Sequence, residues 1–209
     1  MNELNKTIRR TQQYWFEDGL VELLLGLLFV VLSGLFWWQV VSESEYAALV
    51  GGIAMPFIIV LGALLMGVTL RWLKQRLVYP RTGYVTYAKP TNKQRGLSGL
   101  LGLIIGAAMA VTITQLELAE MATAFIGVGV GFALFMLGNR VGLLRFHLLA
   151  VWTVGVGVVI AFWRLDENVA STYALGLIGL GLMFSGAIGF WRYWQNSEPG
   201  NDEPMEALS

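Results

Sequence analysis

Apolar runs long enough to cross a bilayer recur six times along the chain, over residues 19–38, 46–70, 96–116, 121–138, 141–163 and 173–194, with short polar connections between them. A helix needs about 20 apolar residues to cross a hydrocarbon core of about 30 Å. Runs so closely spaced leave no connection long enough to fold by itself. The pattern therefore predicts an all-α polytopic integral membrane protein with six transmembrane helices in one membrane domain, 19–194. Residues 1–18 form a cytoplasmic or interfacial N-terminal segment. Residues 195–209 form an acidic tail with two prolines and no basic residue, a composition that predicts disorder.

Charge orients these spans. Lys6, Arg9 and Arg10 precede the first run, seven basic residues and no acidic one occupy the connection 71–95, and Arg140, Arg145 and Arg192 fall on the same side. Of the 14 Lys and Arg residues only Arg164 lies on the other side, where Glu43, Glu45, Glu117, Glu120, Asp166 and Glu167 collect. Basic residues in short loops are retained in the cytoplasm, so the connection 71–95 and both termini are expected there, in the cytoplasmic membrane of a bacterium. Amphipathic rings agree with this threading independently of charge: Tyr14, Trp15, Trp72, Trp191 and Trp194 mark one boundary, and Trp37, Trp38, Tyr46, Trp163 and Tyr173 the other. Trp152 alone falls in the middle of a span. A cleaved secretory signal ending near Ser42 is the competing reading of the first run. Glu17 and Asp18 in the leading segment, and a run longer than a signal core of about 7–15 residues, favour an uncleaved helix.

Within 71–95, residues 71–77 are expected to continue the second helix beyond the bilayer. Pro80-Arg81-Thr82-Gly83 then closes a small hairpin, because proline presets the turn and glycine accepts the left-handed backbone. Thr91 followed by Gln94 forms a capping box that starts the third helix. The seven cations, interleaved with Trp72, Tyr79, Tyr84 and Tyr87, have topogenic charge as their first explanation and contact with anionic lipid headgroups as a second.

Composition narrows the chemistry. Charged residues make up 13% of the chain, against about 25% in soluble domains. There is no cysteine and one histidine, which removes disulfides, thiolate chemistry, a two-histidine zinc helix and paired axial haem ligation. Gly127-Val-Gly-Val-Gly131 lies inside an apolar run with no strand before it, so helix packing explains it better than a nucleotide loop does. No two carboxylates share a mid-membrane depth for acid/base work. No cofactor, metal or nucleic-acid partner is expected, and no catalytic activity.

Small residues form faces: Gly99, Gly102, Gly106 and Ala110 on the third span, Ala124, Gly127 and Gly131 on the fourth. Such faces let helix backbones approach closely, and the short connection between these two spans predicts that they pack on each other, with a glycine-lined pore as the sharper alternative. Pro56 is the proline well inside a span, in a run of about 37 Å, and is expected to kink it.

One polar group remains. Counting inward from Trp38 and Trp163 puts Glu22 and His147 at matching depths, about one turn from the cytoplasmic boundary, with Arg145 slightly below. Asp18 and Glu22 share a helix face. Asp18, Glu22, Arg145 and His147 are therefore expected to form an intramembrane cluster in which the acidic edge of the first helix pairs with Arg145 or His147 on the fifth; the alternative is that each side chain snorkels to water separately. The function these features favour is a non-catalytic membrane module that packs with itself or with another membrane component. The alternative is a small transporter or channel subunit built around an oligomer axis.

Overall fold

The computed structural model describes residues 15–42, 46, 55–78 and 121–197. The described chain is helical, with five helices long and apolar enough to cross a membrane. α1 covers Leu20–Val41, α2 Met55–Leu73, α3 Ala122–Val141, α4 Leu144–Phe162 and α5 Glu167–Asn196. The expected third span with Gly99, Gly102 and Gly106, the hairpin around Pro80, the capping box at Thr91, the acidic tail and the side chain of Pro56 lie outside the described residues.

Boundaries shift where local chemistry overrides hydropathy. The helix expected to begin at residue 173 begins instead at Glu167, six residues earlier. A carboxylate in the first turn opposes the positive end of the helix dipole, so the helix persists where the sequence is no longer apolar. At 30 residues α5 is about 45 Å long and projects beyond a 30 Å core. The break between α3 and α4 falls at Gly142 and Leu143: Gly142 takes φ 79°, a left-handed conformation that ends α3, and its N–H is donated to Gly138 O. Arg164, with φ 48°, turns the chain between α4 and α5.

The two principal pairs, α1 with α5 and α3 with α4, run antiparallel. In the first, a Cβ on Gly26 would lie 2.6 Å from Gly179 O and 2.7 Å from Met183 N, and one on Gly186 would lie 2.6 Å from Leu23 N. In the second, a Cβ on Gly127 would lie 2.6 Å from Thr153 O and 2.8 Å from Gly157 Cα. Backbone touches backbone in both seams, which only glycine permits. Gly131 continues the second seam, against Ala150 and Val154. Gly127 and Gly131 of α3 thus have α4 as a neighbour; the third span, which the sequence pointed to, lies outside the described residues. The two-residue Gly142–Leu143 connection places α3 and α4 side by side.

α4 then packs on α5, and Leu134, Phe146, Leu149, Ile160, Ala174, Ile178 and Leu182 form the largest core cluster. α2 crosses α1 with Leu28 against Gly62. Its continuation, Lys74–Val78, is a single π-helical turn. Rather than leaving the bundle, that turn is buried: Lys74 and Val78 are covered by Trp15, Phe190 and Tyr193, and Tyr193 Oη donates to Val78 O at 3.2 Å. Large apolar side chains such as Phe57, Leu64, Phe132, Leu148 and Phe184 face outward, an apolar surface more extensive than a soluble monomer carries.

Candidate functional site: an ionic cluster buried at one end of the bundle

Two carboxylates enter the protein interior from the start of α1. A helical turn over 15–17 precedes them and stops at Asp18 and Gly19. Gly19, at φ 68°, sets the direction of α1 and lies against the backbone of Gly186 and Phe190, where a side chain would collide. Asp18 Oδ1 accepts the N–H of Leu20 at 3.1 Å, so the carboxylate is fixed by the turn that carries it. One turn further on, Glu22 projects from the same face toward α4 and α5.

Each carboxylate meets one cation. Lys74 Nζ, from the π-helical turn after α2, lies 2.6 Å from Asp18 Oδ2, with both side chains at most 2% exposed. The ammonium also donates to the carbonyl of Trp15 and sits 4.0 Å above the centre of the Trp15 ring. Arg145 Nε, from the first turn of α4, lies 2.9 Å from Glu22 Oε1, while Ser185 Oγ from α5 donates to Glu22 Oε2 at 2.7 Å. The Arg145 guanidinium donates in addition to the carbonyl of Phe16. Both carbonyls lie at the helical end that precedes α1, where Phe16 O also accepts the N–H of Gly19 at 3.3 Å, and the two cations sit at that end.

The cluster therefore joins the segment before α1 with α1, α2, α4 and α5. Two acids and two bases make it neutral as a whole, with its charges neutralised in adjacent pairs, the condition under which buried ions are tolerated. Chemically it is a clasp: its carboxylate oxygens already face cations, a hydroxyl or a backbone N–H, and among the described residues no group of three His, Asp or Glu side chains converges on a point where a metal ion would sit.

Of the four residues singled out from sequence, Asp18, Glu22 and Arg145 come together here, and His147 does not. Its ring turns away to α3, against Gly138, with Nε2 3.1 Å from Asn139 Oδ1 and the Phe135 ring edge-on at 5.3 Å between centroids. Two positions along a helix rotate a side chain by about 200°, so Arg145 and His147 face different neighbours although their depths match. Lys74 and Ser185 are the members that sequence reasoning missed. Lys74 is one of the seven cations of 71–95, and Ser185 is a single hydroxyl in an apolar run.

Neither a known protein family nor any curated protein or solved structure matches the chain.

Proposed function

We propose that this chain is a non-catalytic, multi-pass membrane module of a bacterial cytoplasmic membrane, held as a rigid scaffold that packs with itself or with another membrane component. The observation that carries the reading is the state of its interior. The α1–α5 and α3–α4 seams are closed backbone to backbone at Gly26, Gly179, Gly127 and Gly157. Two hydroxyls in these seams are turned onto carbonyls, Ser33 Oγ to Thr172 O at 2.8 Å and Thr153 Oγ1 to Ala150 O at 3.0 Å. A transport path needs polar groups free to replace a solute's hydration, and Ser33 and Thr153 already have partners.

A six-span threading with both termini in the cytoplasm belongs to the same reading. α2 ends beside Tyr193, at the clasp, and α3 begins at the opposite end, with Thr123 O against Gly157. The intervening chain has to travel from one end to the other, which supports a further span over 96–116. The clasp end, with the greater share of the basic residues, is the cytoplasmic one.

The face offered to a partner is on α2, where Phe57, Val60, Leu61, Leu64, Leu65 and Val68 recur at three- and four-residue spacing and are all exposed. The test is purification of the full chain in mild detergent, with Leu64→Cys present for cross-linking. Recovery of a stoichiometric membrane protein, or of a dimer joined through residue 64, is the expected result. A monomeric, partnerless chain that moves a solute when reconstituted into liposomes would replace the module with the transporter.

A further inference from the structure

Between α4 and α5 runs a groove of about 420 Å³ that borders the clasp at Arg145 and Ser185 and extends beyond it. Its walls are Leu148 and Trp152 from α4 and Phe184 and Ile188 from α5, and its floor is Gly181 and Gly189. At one end stand two guanidinium groups, Arg145 and Arg192. We propose that this groove binds an anionic glycerophospholipid of the adjoining leaflet, its phosphate at the two arginines and one acyl chain lying along the apolar walls toward Trp152.

Three observations choose that occupant. The first is charge. Arg145 is neutralised from inside by Glu22, whereas Arg192 is exposed and no acidic side chain pairs with it among the described residues. The mouth of the groove is therefore cationic and its body apolar, the arrangement by which basic pockets between membrane helices take anionic headgroups. The second is level. Arg145 and Arg192 lie at the end where α4 begins and α5 finishes, so they stand at headgroup depth, and the body of the groove runs inward from them. From Arg145 to Trp152 is about 10 Å along the helix, roughly a third of the hydrocarbon core.

The third is Trp152, the tryptophan that falls mid-span. Its ring occupies the space over Gly181, and its indole N–H donates to Leu177 O at 3.1 Å. That bond satisfies the polar atom of an amphipathic side chain far from water and holds the ring across the inner end of the groove as a wall. Leu148 at 64% exposed and Phe184 at 72% leave the side of the groove open to the surrounding lipid.

The test uses the full chain in detergent, equilibrated with equal amounts of phosphatidylglycerol and phosphatidylcholine, and counts retained lipid by native mass spectrometry. Phosphatidylglycerol should be retained preferentially. Arg192→Gln should lower that retention about five-fold, the contribution of one surface cation toward an anionic headgroup. Leu148→Trp, which narrows the groove from an exposed position, should lower it independently of charge. Both changes are at the surface, so an unchanged melting temperature verifies that the bundle is intact. Equal retention of the two lipids, or preferential retention that neither variant alters, overturns the proposal. None of these outcomes depends on whether a protein partner docks on α2.

Discussion

Glu22 has its two oxygens divided between a guanidinium and a hydroxyl, and its side chain is 2% exposed, so its partners matter more than its solvent. Removing its charge with Glu22→Gln leaves Arg145 without its neutralising partner and is expected to cost about 3 kcal/mol, the lower end of the range for breaking a buried pair, because Arg145 remains 23% exposed. A double-mutant cycle with Arg145→Gln, followed by reversible unfolding in detergent, should give a coupling of about 1–3 kcal/mol. Strict additivity would mean that the two side chains act separately. Exchanging the charges, Glu22→Arg with Arg145→Glu, should restore little, since a carboxylate at 145 would face the carbonyl of Phe16 that the guanidinium now serves.

At this scale the sequence was legible wherever depth alone decided. Tryptophan anchors at both boundaries allow Glu22 and Arg145 to be placed at a similar level. They do not supply rotation about a helix axis relative to a neighbour whose identity is unknown, which is why His147 and Arg145 could not be told apart. Lys74 was hidden by its own abundance: in a connection of seven cations, the one that folds back into the bundle has no local mark.

Helix seams show the same division between what a pattern states and what it leaves open. The stripe through Gly127 and Gly131 announces a close approach without naming the helix that approaches. Several other glycines line no seam at all: a Cβ on Gly34 or Gly155 meets nothing within 4 Å. The contrast makes a test. Gly26→Leu should lower the melting temperature in detergent substantially, because the added carbons would collide with the backbone of Gly179 and Met183, which cannot move aside as a side chain can. Gly34→Leu should leave it nearly unchanged. Equal sensitivity would show that glycine acts at both places through something other than seam contact. Helix ends were the least legible elements, since hydropathy ends where apolar residues end, whereas α5 continues to Glu167 through its own hydrogen bonds and a favourable charge at its first turn.

For the whole molecule, the absence of cysteine makes threading directly measurable. Single cysteines at Glu43, Glu117 and Asn168 should react with an impermeant reagent added to intact cells, and cysteines at Thr82 and Asn196 should react only after the cells are opened. Labelling of Thr82 from outside would invert the arrangement and move the clasp to the outer face. The membrane class is legible in apolar length, and the one-sided distribution of Lys and Arg supplies the threading that the labelling tests. Helix adjacency does not, because lipid and helix surface are equally apolar and hydropathy cannot distinguish them.

The clasp also places demands on synthesis. Lys74 serves a carbonyl 59 residues behind it, and Arg145 one that is 129 residues behind. A ribosome adding roughly 5–20 residues per second needs roughly 6–26 s to cover the longer interval. For most of that time Glu22 has already been made and has no guanidinium to meet it. A chain that stalls before α4 therefore displays an uncompensated carboxylate, a chemical mark that sets an unfinished copy apart from a finished one.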